Sequence, residues 1–339
     1  MSDGSPSSSD GKIPLLKVEG LTQDFATVDG RVRVLQNISM QIERGEIVGI
    51  VGESGSGKST LGLAIIGLLD SPPSEILSGS IVFDGREMLT LDATGLSQFR
   101  GPGIGMVFQE SLAALNPVYK TESQLKESIE VLRKAQRLEL TDTAERDMML
   151  EILRDLRLDK PEVVLKKYPH ELSGGMRQRI SIAMAIIEKP RLLILDEVTT
   201  GLDVYVQNRI LGLLKELNRR TGTTMILITH DLTVASQICN TLYVMYAGRL
   251  MEEGRTEDLI KAPQHPYSQK LMAAIPQGFA DAPALPAPTG EAPDIRKLPS
   301  GCKFHPRCHM VMEKCKTEEP PYFETSPGCR SSCWLAQKT

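Results

Sequence analysis

The sequence is poor in aromatic residues, has no excess of basic residues and contains no long apolar run. Aromatic residues account for 4% of the 339 residues, which argues against a surface that stacks sugars or nucleic-acid bases. The 39 basic and 43 acidic residues give a net charge of −4, whereas a dedicated nucleic-acid binder usually carries a basic excess. The richest apolar runs, 61–69 and 192–195, fall short of the roughly 18 residues that a membrane-spanning helix requires. We therefore expect neither a nucleic-acid partner nor a transmembrane segment.

The N-terminal segment lacks the basic and apolar regions of a secretory signal. Residues 1–12 are rich in Ser, Gly and Asp, so we expect them to be disordered and the protein to remain in the cytoplasm. The overall composition, with 41% hydrophobic and 24% charged residues, is typical of a globular protein with a true core.

Cysteine is scarce in the body of the chain and concentrated near its end. Of the six cysteines, only Cys239 precedes residue 300, and it is expected to be a buried core residue. The other five lie in the C-terminal region: Cys302, Cys308, Cys315, Cys329 and Cys333. In a reducing compartment such a cluster indicates metal or iron–sulfur ligation before disulfides.

Hydrophobic periodicity divides the chain into α/β, helical and irregular parts. Short apolar runs alternate with turn signals over 13–100, and alternating helices and strands return over 173–250. Charged residues with helical spacing predict a helical subdomain over about 110–172. Pro and Ala dominate 276–300, which we interpret as a linker to the Cys-rich region of 301–339.

A glycine-rich loop between a predicted strand and a predicted helix is the first strong motif. Gly52 to Ser59 form G-x4-G-K-S directly after an apolar run. The glycines let backbone N–H groups surround a phosphate, and the helix N-terminus adds a positive dipole. Lys58 would then reach the β- and γ-phosphates of a nucleotide, and the Ser59 hydroxyl would bind Mg²⁺. The alternative is an ordinary glycine-rich turn.

Two adjacent carboxylates follow the apolar run of 192–195. Asp196 is suited to hold Mg²⁺ through water, and Glu197 to polarise a water for attack on the γ-phosphate. Alone, such a pair is often a solvated strand end. Together with the glycine-rich loop, it favours a metal–nucleotide site.

A third motif, L-S-G-G-M-R-Q-R over 172–179, stands shortly before these carboxylates. It resembles the signature motif of ATP-binding cassette (ABC) ATPases, and its serine and glycines begin a predicted helix that offers another anion-binding end. The resemblance implies that Ser173, Gly174 and Gly175 bind the γ-phosphate of the ATP held by the opposite subunit.

The other landmarks of this family follow in order over about 14–275, which implies an ABC ATPase domain over 13–275. The implied fold is α/β: an ABC-type P-loop NTPase with a β-subdomain, a RecA-like core and a helical subdomain, followed by a small Cys-rich extension. The resemblance implies catalytic roles for Glu197, His230 and Gln109. It implies Mg²⁺ ligation by Ser59, Gln109 and Asp196. The implied ATP contacts, besides the signature motif, are Phe25, Gly52, Ser54, Gly55, Ser56, Gly57, Lys58, Ser59, Thr60 and Asp203.

Each weaker landmark also has a simpler interpretation when taken alone. Phe25 could be a core residue, Gln109 a solvated glutamine and His230 a strand-end histidine without a role. One position departs from the family pattern, because Val198 stands where a proline usually follows the catalytic glutamate. We expect this valine only to loosen the turn, since proline would fix its backbone. The intact Glu197 favours a subunit that is competent in hydrolysis.

Two further segments resemble the ATPases of dipeptide, oligopeptide and nickel importers. They are H-P-Y-S-x-x-L over 265–271 and Leu115-Asn116-Pro117. Within that family the chain looks like the first-type ATPase subunit. The resemblance implies a second ATPase subunit in a heterodimer, two transmembrane permeases and, indirectly, an extracytoplasmic solute-binding protein. It implies a peripheral position on the cytoplasmic face of the cell membrane. The alternatives are a soluble ABC ATPase of translation or DNA repair and a nucleotide-binding scaffold without turnover.

The segment G-C-K-F-H-P-R-C over 301–308 resembles the GCxFxxRC segment of the same importers. In several members four cysteines hold a [4Fe-4S] cluster, which here implies Cys302, Cys308, Cys315 and Cys333 as ligands. A structural zinc site and an unmetallated loop region remain alternatives. Cys329 could compete as the fourth ligand, and His305 and His309 lie close by in sequence. Because this region is far in sequence from the phosphate loop, we expect a structural or docking role.

Overall fold

A computed structural model describes residues 13–109, 114–273 and 293–337. The expected disordered segment of 1–12 and most of the expected linker, 276–292, lie outside the described residues. The described chain contains two β-sheets, of four and eight strands.

The smaller sheet is antiparallel, with strand order β2-β1-β4-β5. Its members are β1 (Leu16–Thr27), β2 (Gly30–Ile42), β4 (Ser74–Phe83) and β5 (Arg86–Glu87). Alternate residues of β1, among them Leu16 and Val18, are buried while their neighbours are not, as expected for a sheet with one face on the core.

The larger sheet contains the central parallel strands. Its order is β11-β12-β10-β9-β3-β8-β7-β6. The strands are β3 (Ile47–Val51), β6 (Ile104–Val107), β7 (Leu192–Asp196), β8 (Thr224–Thr229), β9 (Thr241–Tyr246), β10 (Arg249–Arg255), β11 (Phe323–Ser326) and β12 (Cys329–Ser331). All residues of β3, β7 and β8 are buried, which is typical of parallel strands covered on both faces.

The helices are α1 (Lys58–Ile66), α2 (Ala93–Phe99), α3 (Thr121–Gln136), α4 (Asp142–Asp155), α5 (Pro161–Val164), α6 (Gly174–Ile187), α7 (Val204–Thr221), α8 (Leu232–Ile238), α9 (Thr256–Lys261), α10 (Pro266–Met272) and α11 (Glu313–Thr317). Helices α3 and α4 pack against α6. Side chains cap several helix starts: the Thr141 hydroxyl accepts a hydrogen bond from the Ala144 N–H at 3.3 Å. Among the described residues, no helix is both long and apolar enough to cross a bilayer.

The Cys-rich region is joined to the large sheet. Strand β12 pairs antiparallel with β10, placing Arg330 opposite Glu253, and β11 pairs with β12. The Arg330 Nε donates to Glu253 Oε1 at 2.7 Å. Phe304, completely buried, packs its ring against Tyr246 and Tyr267. Through these contacts, the Cys-rich region packs against the main hydrophobic core.

Candidate active site

The glycine-rich loop connects the end of β3 to the start of α1, as its motif predicts. Gly52 and Gly57 have positive φ angles of 153° and 96°. A Cβ at Gly52 would lie 2.0 Å from the Met245 carbonyl oxygen, so only glycine fits there. The buried Lys58 ammonium donates to the carbonyl oxygens of Gly52 and Glu53, both at 2.9 Å. The Lys58 ammonium therefore lies within the loop, where it can meet a phosphate group.

The Ser59 hydroxyl donates to Asp196 Oδ1 at 2.9 Å, although the two residues lie on different elements. Asp196 ends β7 and is buried, and this burial raises the pKa of its carboxyl group. Burial likewise lowers the pKa of Lys58, opposed by the charges of Glu197, Asp196 and Glu53. A hydroxyl beside a carboxylate supplies the hard oxygen ligands that Mg²⁺ prefers, so Ser59 and Asp196, two of the three predicted ligands, fit this ion.

The Glu197 carboxylate lies at the centre of a small polar cluster. Gln109 Nε2 donates to Glu197 Oε2 at 3.1 Å, and His230 Nδ1 lies 3.1 Å from Glu197 Oε1. The Thr200 hydroxyl also donates to Oε2 at 3.1 Å, a contact that sequence reasoning did not identify. Glu197 has a left-handed backbone with φ of 48°, which is uncommon for a residue with a side chain. The following Val198 is buried.

The signature motif lies at the exposed start of α6. The Ser173 hydroxyl accepts from the Met176 N–H at 3.3 Å and caps the helix, and Gly174 and Gly175 form its first turn. Asp203 caps α7 in the same way, accepting from the Val206 N–H at 2.9 Å. Within the described part of the chain, no hydrogen bond joins this motif to the glycine-rich loop.

The other predicted nucleotide contacts lie in or near the glycine-rich loop, with one exception. Ser54 and Gly55 are exposed at the loop's tip, Ser56 is buried, and Thr60 is half-buried in the first turn of α1. Phe25 is half-buried on β1 in the smaller sheet, opposite Val32 and Ser74.

The Cys-rich region contacts the glycine-rich loop directly, which sequence distance had not suggested. Arg307 Nη1 lies 2.8 Å from Glu53 Oε2, and Nη2 lies 3.1 Å from Oε1. Tyr267, of the H-P-Y motif, accepts a hydrogen bond from the Glu53 N–H at 3.0 Å. No sequence pattern marks such a pair, because 254 positions separate its members.

The four thiols predicted to hold a cluster line one small cavity: Cys302, Cys308, Cys315 and Cys333. Burial raises the pKa of Cys302 to about 11 and that of Cys333 to about 12, and the thiols are free. The Met310 N–H lies 3.4 Å from the Cys308 sulfur. Over the described ranges, no three Cys, His, Asp or Glu residues are arranged to hold a metal ion as they stand.

The alternative ligands are less well placed. Cys329 lies on β12 beside Gly254, where an added Cβ would stand 2.6 Å from the Cys329 sulfur, and it does not line the cavity. His309 is exposed. His305 borders the cavity, with Nδ1 3.0 Å from the Cys302 carbonyl oxygen. Cys239 is buried in the core, as predicted.

Comparison with known proteins identifies the family. The family profile "ABC transporter" matches residues 35–200, and "Oligopeptide/dipeptide transporter, C-terminal region" matches 251–315. The oligopeptide transport ATP-binding protein OppD of Escherichia coli K12 is 41% identical over 320 residues, 94% of this chain and 93% of its own. The chain belongs to the ABC transporter family. The dipeptide transport ATP-binding protein DppD of the same strain is 37% identical over 321 residues, 95% of this chain and 96% of its own.

Solved structures support the same ABC assignment for the fold. The ABC transporter cassette MJ0796, in a dimeric structure, is 31% identical and superimposes with a TM-score of 0.63. The match covers 71% of this chain and 98% of that cassette. A second dimeric structure of MJ0796, in a post-hydrolysis state with ADP and Pi, gives the same score at 29% identity. The predicted fold class and family are confirmed, whereas the roles of individual site residues stay predictions.

Proposed function

We propose that this chain hydrolyses ATP to power the import of peptides, or of nickel or a similar small solute, by a membrane ABC transporter. The observation that carries the proposal is the importer-type C-terminal region on a chain that also has a full set of ATPase motifs. The relatives OppD and DppD are named as oligopeptide and dipeptide transport ATP-binding proteins. A soluble ABC ATPase would not require that region.

The proposed chemistry uses the residues gathered around Glu197. The loop from Gly52 to Ser59 binds the phosphates of ATP, with Lys58 on the β- and γ-phosphates, and Phe25 stacks on adenine. Ser59, Gln109 and Asp196 hold Mg²⁺, which when bound neutralises charge on the phosphate oxygens. Glu197 polarises the attacking water, and His230 orients the carboxylate from 3.1 Å.

The proposed assembly is a heterodimer with a second ATPase subunit on two permeases, served indirectly by a solute-binding protein. Ser173, Gly174 and Gly175 complete the partner's ATP site, with Asp203 at the same interface. The exposed side chains of Phe108, Val118 and Tyr119 are apolar surface suited to a permease. The subunit would thus be peripheral, on the cytoplasmic face of the membrane.

We also propose the domain division predicted above, with 301–339 as a metal-stabilised region. Four thiols around one cavity match the ligand set of a [4Fe-4S] cluster. A structural zinc held by the same four thiols is the alternative. The role we assign to either group is structural.

The decisive test is reconstitution of the chain with its partner ATPase and permeases in liposomes. We expect ATP hydrolysis to rise when solute-loaded binding protein is added, and solute to accumulate in the liposomes. Full turnover by the purified chain alone, with no permease recovered alongside it from cells, would instead favour the soluble ATPase.

A further inference from the structure

Glu53, the second residue of the glycine-rich loop, is fixed at three points. Its carboxylate forms a two-bond pair with Arg307 at 2.8 and 3.1 Å. Its N–H donates to Tyr267 at 3.0 Å, and its carbonyl oxygen accepts from Lys58 at 2.9 Å. Arg307 and Tyr267 both lie in 251–315, the importer-type C-terminal region, rather than in the loop.

Arg307 is itself held firmly. Its side chain is only 10% exposed, its guanidinium carbon lies 5.7 Å from the centre of the Tyr246 ring, and Nη1 donates to the Tyr246 hydroxyl at 3.2 Å. Lys270 donates to its carbonyl oxygen at 3.2 Å, and its N–H donates to the Phe304 carbonyl oxygen at 3.0 Å. A guanidinium fixed in this way offers a preorganised fork that matches a carboxylate.

We infer that Arg307 is a positioning residue of the nucleotide site. By binding the Glu53 carboxylate, it keeps that negative charge from repelling the phosphates and from forming an ion pair with Lys58. The inference rests on the nucleotide site proposed above. The Glu53 carboxylate needs a partner for an electrostatic reason. If unpaired, it would repel the triphosphate and attract the Lys58 ammonium group, which should instead contact the phosphates. The C-terminal region therefore contributes to ATP binding as well as to structure.

The test measures Mg·ATP affinity of the full chain and the KM and kcat of the reconstituted transporter. Arg307→Ala is expected to weaken Mg·ATP binding and to raise KM roughly 10- to 100-fold, the range for a lost charged hydrogen bond, with a smaller change in kcat. Arg307→Lys keeps the charge but not the fork, so its effect should be intermediate.

Rescue separates positioning from damage to the fold. Adding Glu53→Gln to Arg307→Ala removes the unpaired charge and should restore most of the affinity for Mg·ATP. The single variant Glu53→Gln completes the double-mutant cycle. Arg330→Ala is the matched control, since it breaks an arginine–glutamate pair of the same region at β10. It should leave KM unchanged.

Any of three results would overturn the inference. The first two are a KM for Arg307→Ala within about twofold of the wild type and no rescue by Glu53→Gln. Equal effects of Arg307→Ala and Arg330→Ala would do the same. Lys58→Ala distinguishes failure of the inference from failure of the proposed site. If Lys58→Ala abolishes Mg·ATP binding while Arg307→Ala has no effect, only the inference fails. If neither variant changes binding, the nucleotide site is elsewhere.

Discussion

At the scale of single residues, the Glu197 carboxylate is the centre of the candidate site. Its left-handed backbone is held because its N–H donates to the Ile228 carbonyl oxygen at 2.9 Å and Val198 is buried beside it. The resemblance to ABC ATPases selected Glu197, Gln109 and His230, and the structure brings these side chains together, while their catalytic roles stay predictions. Thr200 was missed, since a threonine in a loop carries no distinguishing pattern.

Glu197→Gln should abolish turnover while ATP binding survives. The amide keeps the shape of the side chain but cannot act as a base, so we expect kcat to fall roughly 10²- to 10⁴-fold. The measurement is ATPase activity of the complex beside its equilibrium binding of Mg·ATP. Near-normal hydrolysis would remove Glu197 from the proposed role.

At the scale of elements, the candidate site is built from residues at the ends of strands and the starts of helices. The predicted strands and helices around the glycine-rich loop and the two carboxylates were confirmed, because buried parallel strands and capped helices have strong local signals. Strands β11 and β12 were missed. They are four and three residues long and mostly polar, and β12 joins the sheet through β10, which is distant in sequence, so no local periodicity marks them.

Removing the cap of α6 should impair the partner's site and not the chain's own. Ser173→Ala deletes an N-cap, costing about 1 kcal/mol of stability, and also the proposed contact with the partner's ATP. Thr141→Ala deletes an equivalent cap on α4 and is the control. We expect only Ser173→Ala to lower turnover of the complex, with Mg·ATP binding by the single chain unchanged. Equal turnover in both variants would contradict the assigned role of the signature motif.

The start of α10 should make stability sensitive to acid. His265 is completely buried, accepts the Tyr267 N–H on Nδ1 at 3.0 Å, and has its pKa lowered to about 3 by burial. Below about pH 6.5, the His265 imidazole therefore binds a proton in the unfolded chain but stays neutral in the folded chain. The free energy of unfolding should fall by up to about 1.4 kcal/mol per pH unit from pH 6.5 towards pH 3.

The check is denaturant unfolding of wild type and His265→Asn between pH 7.5 and pH 4.5. Asparagine offers an acceptor oxygen in place of Nδ1 and does not titrate, so its stability should depend less steeply on pH. Parallel curves for the two proteins would show that His265 does not contribute.

At the scale of the whole molecule, the Cys-rich region and the ATPase core form one packed structure. Backbone pairing of β12 with β10, the Arg330–Glu253 pair and the buried Phe304 attach the region to the large sheet. The sequence suggested a separate extension because a Pro- and Ala-rich stretch precedes it and its cysteines suggested an independent site. Amino-acid composition shows which residues a segment contains. It does not show that the edge of the large sheet is free to pair with that segment, because this edge forms only in the folded core.

The four-thiol cavity provides the last prediction. After anaerobic purification we expect about four irons and four sulfides per chain, as a Cys₄-ligated cubane requires. Cys315→Ser removes a proposed ligand and should lose the metal, destabilise the region and, through Arg307, weaken ATP binding without abolishing it. Cys329→Ser is the matched control, because that buried thiol lies on β12 outside the cavity. It should keep the metal. One zinc without sulfide would replace the cluster by a structural zinc site, and an anaerobic preparation free of metal would contradict both.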